Sequence, residues 1–193
     1  MAGQQQQTPL QGKRVAFLAA DGVEEVEYTE PRAAAERAGA QVELISIQQG
    51  SIQSVNKDIN KSKAYPVDRT VSDANPADYD GLVLPGGVVN PDKLRQFPDA
   101  MRFVKAFFDQ SKPVAAICHG PWSLVETGVV KGRTVTSFPS LRTDITNAGG
   151  RWVDEEVHVD SGLVTSRKPT DLPAFCNQMV AAMAKGEQAK VPV

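Results

Sequence analysis

The sequence has few of the residues that mark metal, nucleic-acid and membrane-surface proteins. Its 193 residues include two cysteines and two histidines, with no C-x-x-C or H-x-x-x-H spacing. We therefore expect reduced thiols, no metal site and no cofactor. Lys and Arg total 21 against 23 Asp and Glu, for a net charge of −2, and no basic run occurs. This balance argues against a nucleic-acid partner or a charged membrane surface.

Long apolar runs are also missing. No stretch approaches the roughly 18 residues that a membrane-spanning helix needs. Residues 1–12 are Gln-rich and polar, without the charged and apolar regions of a signal peptide. We expect a cytoplasmic protein with one domain at residues 13–186 and flexible tails at residues 1–12 and 187–193.

The chain alternates apolar strand patterns with helix patterns. Core strands are predicted in five segments, namely residues 14–20, 41–47, 80–85, 113–117 and 133–137. Residues 50–78 are predicted to hold short strands. Segments 156–160 and 163–166 flank Ser161 and Gly162, which indicates a hairpin.

Helix patterns lie between these strands. One follows Gly22, with Pro31 in its first turn and Gly39 beyond its end. Another is expected to run unbroken across residues 92–111, and the last begins near residue 171, with Cys176 on its apolar face. Together these patterns predict an α/β fold, a flavodoxin-like three-layer sandwich with a mostly parallel sheet and helices on both faces.

The sharpest chemical signal is Cys118, which directly follows an apolar strand. Small residues, Ala116 and Gly120, flank it two positions away on each side. This pattern is typical of a nucleophile elbow, a tight turn that holds a reactive side chain at the end of a sheet. Because a helix is expected to follow, its N-terminal N–H groups should favour the thiolate and lower the pKa of Cys118.

Several motifs give the sequence a family resemblance. They are GVEEVE at residues 22–27, LPGG at 84–87, AICHGP at 116–121, TSFPS at 136–140 and NAGGRWVD at 147–154. In this order they resemble the PfpI intracellular-protease family of the ThiJ/PfpI superfamily, which has a class I glutamine amidotransferase-like fold. The resemblance extends from Lys13 to the last helix.

The resemblance implies roles for four further residues. Glu27 corresponds to the acid that approaches the nucleophilic sulfur, and a protonated carboxyl there would donate to the thiolate. The N–H groups of Gly87 and His119 would form an oxyanion hole. His119 would work with an acid from a neighbouring subunit, and Asp92 occupies the corresponding position. Pairing of His119 with Cys118 inside one chain is expected to be awkward, because adjacent side chains point in different directions.

These residues support functions of two classes. The first is a stress-response enzyme with a cysteine nucleophile, either a peptidase-like hydrolase or a glyoxalase or protein deglycase acting on reactive carbonyls. Its partners would be a peptide or small aldehyde substrate and further copies of the chain, in a dimer or larger homo-oligomer. The alternative is a non-catalytic thiol redox sensor or oxidative-stress protection protein.

Overall fold

The computed structural model describes residues 8–186. Its strands are β1 (Arg14–Leu18), β2 (Val23–Glu24), β3 (Gln41–Ser46), β4 (Ser51–Asn56), β5 (Asn60–Pro66), β6 (Arg69–Thr70), β7 (Gly81–Leu84), β8 (Val114–Ile117), β9 (Thr134–Val135), β10 (Arg151–Trp152), β11 (Val157–Asp160) and β12 (Leu163–Ser166). Its α-helices are α1 (Glu25–Arg37), α2 (Val89–Arg95), α3 (Pro98–Asp109), α4 (Trp122–Glu126), α5 (Arg142–Asn147) and α6 (Leu172–Lys185).

A seven-stranded sheet in the order β11-β12-β8-β7-β1-β3-β6 forms the centre of the fold. Its neighbouring strands pair in parallel, except that β11 runs antiparallel to β12 at one edge. In β1, Val15 and Phe17 face one layer of the core while Ala16 and Leu18 face the other. Such apolar runs, buried on both faces, are what a covered parallel sheet requires. The predicted flavodoxin-like sandwich is confirmed.

Helices cover both faces of this sheet. Helices α1 and α6 pack on the face of Phe17, where Tyr28 and Phe175 are fully buried. Helices α2 to α5 supply the apolar cluster on the other face, which includes Phe107 and Leu124. The motifs predicted to form a site lie where β1, β7 and β8 end, since parallel strands bring their carboxyl ends to one edge.

Two helix predictions are wrong in their bounds. Pro31 lies inside α1, because the helix already begins at Glu25. The helix expected over residues 92–111 is two helices, separated at Phe97, whose backbone is extended (φ −106°, ψ 106°). The ring of Pro98 disfavours helical geometry at the preceding residue, so α3 begins anew at Pro98. Phe97 is consequently 45% exposed instead of lying on the apolar helix face.

The fifth predicted core strand is shorter than expected and lies outside the central sheet. Only Thr134–Val135 of residues 133–137 is a strand, and it pairs with β10 in a separate two-stranded sheet. The short strands predicted within residues 50–78 are present as β4, β5 and β6, with β2, β4 and β5 forming a three-stranded sheet. The hairpin between β11 and β12 is confirmed, and Ser161 and Gly162 both have positive φ.

A residue that precedes the predicted domain start at residue 13 contacts the core. Leu10 is fully buried, and its N–H donates to the carbonyl oxygen of Ala38 at 2.8 Å. Leu10 therefore packs on the core, while residues 1–7 and 187–193 of the expected tails lie outside the described residues. The domain bounds at residues 13 and 186 stay a prediction. Within residues 8–186, none of the helices combines the length and apolar character needed to cross a bilayer.

Candidate active site

Cys118 sits in a strained turn directly after β8. Its φ of 61° lies in the left-handed region, which costs a non-glycine residue about 1–2 kcal/mol. The surrounding backbone holds this conformation, because the N–H of Cys118 donates to Ser166 (3.1 Å) and its carbonyl accepts from Phe138 (2.9 Å). A Cβ atom at Gly120 would lie 2.4 Å from the carbonyl oxygen of Leu84, so only glycine fits there. These features are those of a nucleophile elbow.

Glu27 and Cys118 lie close to each other on either side of Gly86. A Cβ atom at Gly86 would lie 2.3 Å from Oε2 of Glu27 and 2.6 Å from Cβ of Cys118. The carboxyl from α1 and the cysteine after β8 thus converge on a backbone position that has no room for a side chain. The following residue, Gly87, has φ +80° and would place a Cβ atom 2.3 Å from the carbonyl oxygen of Gly22.

Glu27 is a fully buried acid that holds its proton at neutral pH. Burial raises its pKa to about 8, and the charges of Glu24 and Asp58 act in the same direction, although Cys118 and the N–H of Gly86 oppose them. Within residues 8–186, neither carboxyl oxygen of Glu27 meets full hydrogen-bond geometry. Cys118 and Gly86 therefore affect the pKa of Glu27 only as close neighbours. Burial has the larger effect, and it keeps Glu27 protonated.

The direction of the pKa shift at Cys118 is opposite to the sequence-based prediction. Burial raises its pKa, and an ionised Glu27 would raise it further, whereas the N–H groups of Gly87 and His119 lower it. The expected helix contribution is small because α4 begins only at Trp122 and spans five residues. These are the two N–H groups predicted to form an oxyanion hole, and each of them lowers the pKa of the Cys118 thiol.

His119 pairs with Cys118 inside the chain, so the expectation of awkward geometry is wrong. Its Nδ1 lies 3.2 Å from Sγ, and its Nε2 lies 3.2 Å from Oγ of Ser140. The ring stacks on Phe138 with a centroid separation of 4.7 Å. Burial lowers the pKa of His119, so the neutral imidazole is favoured and Nδ1 is available to accept the thiol proton while Nε2–H donates to Ser140.

Asp92 does not join this group within the chain. It lies exposed in the first turn of α2, and its backbone carbonyl accepts from the side chain of Gln96. Among the described residues, no hydrogen bond or ion pair of the Asp92 carboxylate is present. Its contribution to a neighbouring subunit stays a prediction.

Three residues of the site were not found from the sequence as site residues. Ser140 orients His119, Phe138 stacks on it, and Asp58 lies close enough for its charge to affect the pKa values of both Glu27 and His119. Ser140 and Phe138 lie in the TSFPS motif, which is a usable signal, whereas no motif marks Asp58. In the described part of the chain, no three His, Cys, Asp or Glu residues are gathered as a metal site would need.

Cys176 lies away from this group. It is half-buried on α6 and packs against the core formed with α1, instead of lying fully inside it. Burial raises its pKa to about 11, with the charge of Glu30 adding to the effect. Cys176 therefore provides an internal comparison for the reactivity of Cys118.

The fold and the site define an α/β protein with a cysteine on a nucleophile elbow beside a buried acid. The DJ-1/PfpI family model matches residues 13–182, and the chain belongs to this family. General stress protein 18 of Bacillus subtilis is 39% identical over 175 residues, covering 90% of this chain and 99% of that protein. Deglycase PH1704 of Pyrococcus horikoshii is 39% identical over 167 residues, covering 86% and 97% of the two chains. The structure of Drosophila melanogaster DJ-1beta has a TM-score of 0.80 and 25% identity, covering 89% of this chain and 90% of that one.

Proposed function

We propose that the protein is a cysteine-dependent hydrolase of reactive carbonyls, of the glyoxalase or deglycase type. The observation that carries this proposal is the buried group formed by the neutral thiol of Cys118, the protonated carboxyl of Glu27 and Nδ1 of His119, 3.2 Å from the sulfur. The name of the relative Deglycase PH1704 supports the same class of reaction.

The first step is addition of the thiol to an aldehyde carbonyl. Sγ of Cys118 forms a bond to the carbonyl carbon while its proton passes to Nδ1 of His119. Glu27 donates its proton to the carbonyl oxygen, and the N–H groups of Gly87 and His119 stabilise the negative charge developing there. The product is a hemithioacetal, and Glu27 is now a carboxylate.

The later steps return every proton. For a 2-oxoaldehyde, the Glu27 carboxylate moves the proton of the former aldehyde carbon to the neighbouring carbon, and the hydroxyl proton on the former aldehyde oxygen passes to the oxygen of that neighbouring carbon. These two shifts give the thioester of a 2-hydroxy acid. Water then attacks the thioester carbon: its hydroxyl stays on that carbon, its other proton returns to Glu27, and the C–S bond breaks as the proton held by His119 restores the thiol of Cys118. The sum is a 2-oxoaldehyde plus water giving a 2-hydroxy acid, with no external oxidant or reductant.

Burial of the thiol favours this function over the two others predicted from the sequence. Cys118 is 5% exposed, which suits a small aldehyde better than a polypeptide chain that must lie across the sulfur. The thiolate is the form that peroxides oxidise, and burial disfavours it, which argues against a redox sensor.

The test is turnover of methylglyoxal to lactate, with casein hydrolysis measured in parallel. Cys118→Ala should lower methylglyoxal turnover by more than about 10³-fold, as expected when a nucleophile is removed. Cys176→Ala is the matched control and should retain the wild-type rate. Unchanged turnover in Cys118→Ala, or casein hydrolysis without methylglyoxal turnover, would rule out the proposed function.

A further inference from the structure

The turn between β4 and β5 is held by two hydrogen bonds to Glu24, a buried acid beside the candidate site. Oε1 of Glu24 accepts from the N–H of Lys57 and Oε2 accepts from the N–H of Asp58, both at 2.9 Å. Lys57 and Asp58 have φ values of 55° and 63°, a costly conformation for non-glycine residues. Glu24 is 8% exposed and lies one residue before α1, the helix that carries Glu27. The two bonds therefore fix the turn relative to the buried acid of the site.

The turn at Lys57 and Asp58 also contacts the loop that contains Gly86 and Gly87. Oδ1 of Asp58 accepts from the N–H of Val88 at 3.1 Å. This N–H belongs to the peptide that joins Gly87 to Val88, and the N–H of Gly87 acts on the sulfur of Cys118.

The N–H of Gly87 belongs to the preceding peptide, whose carbonyl oxygen on Gly86 accepts from the side chain of Asn90 at 3.0 Å. The backbone around Gly87 is therefore held on both sides, by Asn90 before it and by Asp58 after it. Without the bond to Asp58, the two torsions at Gly87 would be free to change and its N–H could shift relative to the sulfur.

Asp58 also adds charge to the site. Its carboxylate raises the pKa of His119 against the effect of burial. The groups facing His119 are the thiol of Cys118, the hydroxyl of Ser140 and the charge of Asp58. Glu27 faces Cys118, Glu24 and Asp58.

We propose that Asp58 is a positioning residue that fixes the Gly87–Val88 peptide and thereby aims the N–H of Gly87 at the reacting centre. The proposal rests on the proposed function for its catalytic consequence. Asp58 acts through Gly87 and does not itself touch the reacting atoms.

The decisive comparison is Asp58→Ala against Asp58→Asn. Both variants lack the charge, but the Asn side chain keeps an oxygen that accepts from Val88 and tolerates the left-handed backbone. With methylglyoxal as substrate, Asp58→Ala should lower kcat by roughly ten- to a hundredfold, less than the 10²–10³-fold seen when an oxyanion donor is removed outright. Asp58→Asn should recover most of kcat. The acidic limb of its pH–rate profile should shift to lower pH, because His119 loses the charged neighbour that raises its pKa.

Two further variants control for folding. Asp58→Gly removes the side chain without left-handed strain, so it should lose kcat like Asp58→Ala. Asp68→Ala breaks the same kind of bond elsewhere, since Oδ2 of Asp68 accepts from the N–H of Leu44 at 2.7 Å. It should leave kcat unchanged. Equal kcat for Asp58→Ala and Asp58→Asn, or recovery in Asp58→Gly, would overturn the proposal.

Alkylation of Cys118 by iodoacetamide provides a readout that does not need turnover. The N–H of Gly87 lowers the thiol pKa, so its misplacement should slow alkylation at pH 8 by about three- to tenfold in Asp58→Ala relative to Asp58→Asn. Equal alkylation rates would refute the positioning role. If wild-type protein lacks methylglyoxal turnover, the proposed function fails while the alkylation ratio still decides the role of Asp58.

Discussion

Glu27→Gln should change how the stability of the protein depends on pH. The pKa of Glu27 is raised from 4.5 to about 8 in the folded state, chiefly by burial. Between these two values the folded state binds one more proton than the unfolded state, so stability falls as pH rises. The slope is about 1.4 kcal/mol per pH unit, which amounts to about 4 kcal/mol between pH 5 and pH 8. The amide in the Glu27→Gln variant would carry no such proton, so this contribution should vanish.

The assay is urea unfolding of both proteins at half-unit steps from pH 5 to pH 9. The free energy of unfolding of Glu27→Gln minus that of wild type should rise with pH by about 4 kcal/mol and level off above pH 8. Glu30→Gln replaces an exposed carboxyl on the same helix and should show no such trend. A difference that stays constant from pH 5 to pH 8 would refute the assignment of a protonated, buried Glu27.

Three further predictions concern Ser140, the two cysteines and Asp92. Ser140→Ala should lower kcat by roughly tenfold with little change in KM, because Nε2 of His119 loses its partner at 3.2 Å; an unchanged kcat would remove Ser140 from the site. Iodoacetamide modification of Cys118 and Cys176 should accelerate with pH without a plateau below pH 9, since burial raises both pKa values above 9.0; a plateau near neutral pH at Cys118 would contradict this. If Asp92 serves His119 across an interface, sedimentation velocity should show at least a dimer and Asp92→Asn should lose activity, whereas a fully active monomer would exclude that role.

Much of the fold follows from patterns that are local in the sequence. The continuous apolar strands, the Ser161-Gly162 hairpin and the final helix with its left-handed end at Gly186 are all set by neighbouring residues. The break at Phe97 was also visible in principle, because Pro98 restricts the residue before it. The helical spacing of Phe97 with the residues that follow concealed this signal.

The limits of the sequence are clearest at the edge of the sheet. The segment at residues 133–137 has the composition of a core strand, yet β9 pairs with β10 outside the central sheet. The composition of a segment can indicate that it is extended and buried. Which strand it pairs with depends on residues far away in the chain, so the local sequence does not predict strand order. The same limit applies to Asp58, which contacts Val88 across 30 positions of the chain.

The activation of Cys118 shows how a correct local pattern can lead to a wrong conclusion about charge. The elbow at Ala116 to Gly120 was recognisable, and a cysteine before a helix ordinarily has a lowered pKa. Here α4 is only five residues long, whereas the enclosure of Cys118 by Glu27 and Gly86 removes water from the sulfur, and desolvation outweighs the backbone donors. A thiol in this state needs a base when substrate arrives, and Nδ1 of His119 is the group within reach. Local sequence therefore identifies the candidate nucleophile, but its protonation state depends on how deeply the fold encloses it.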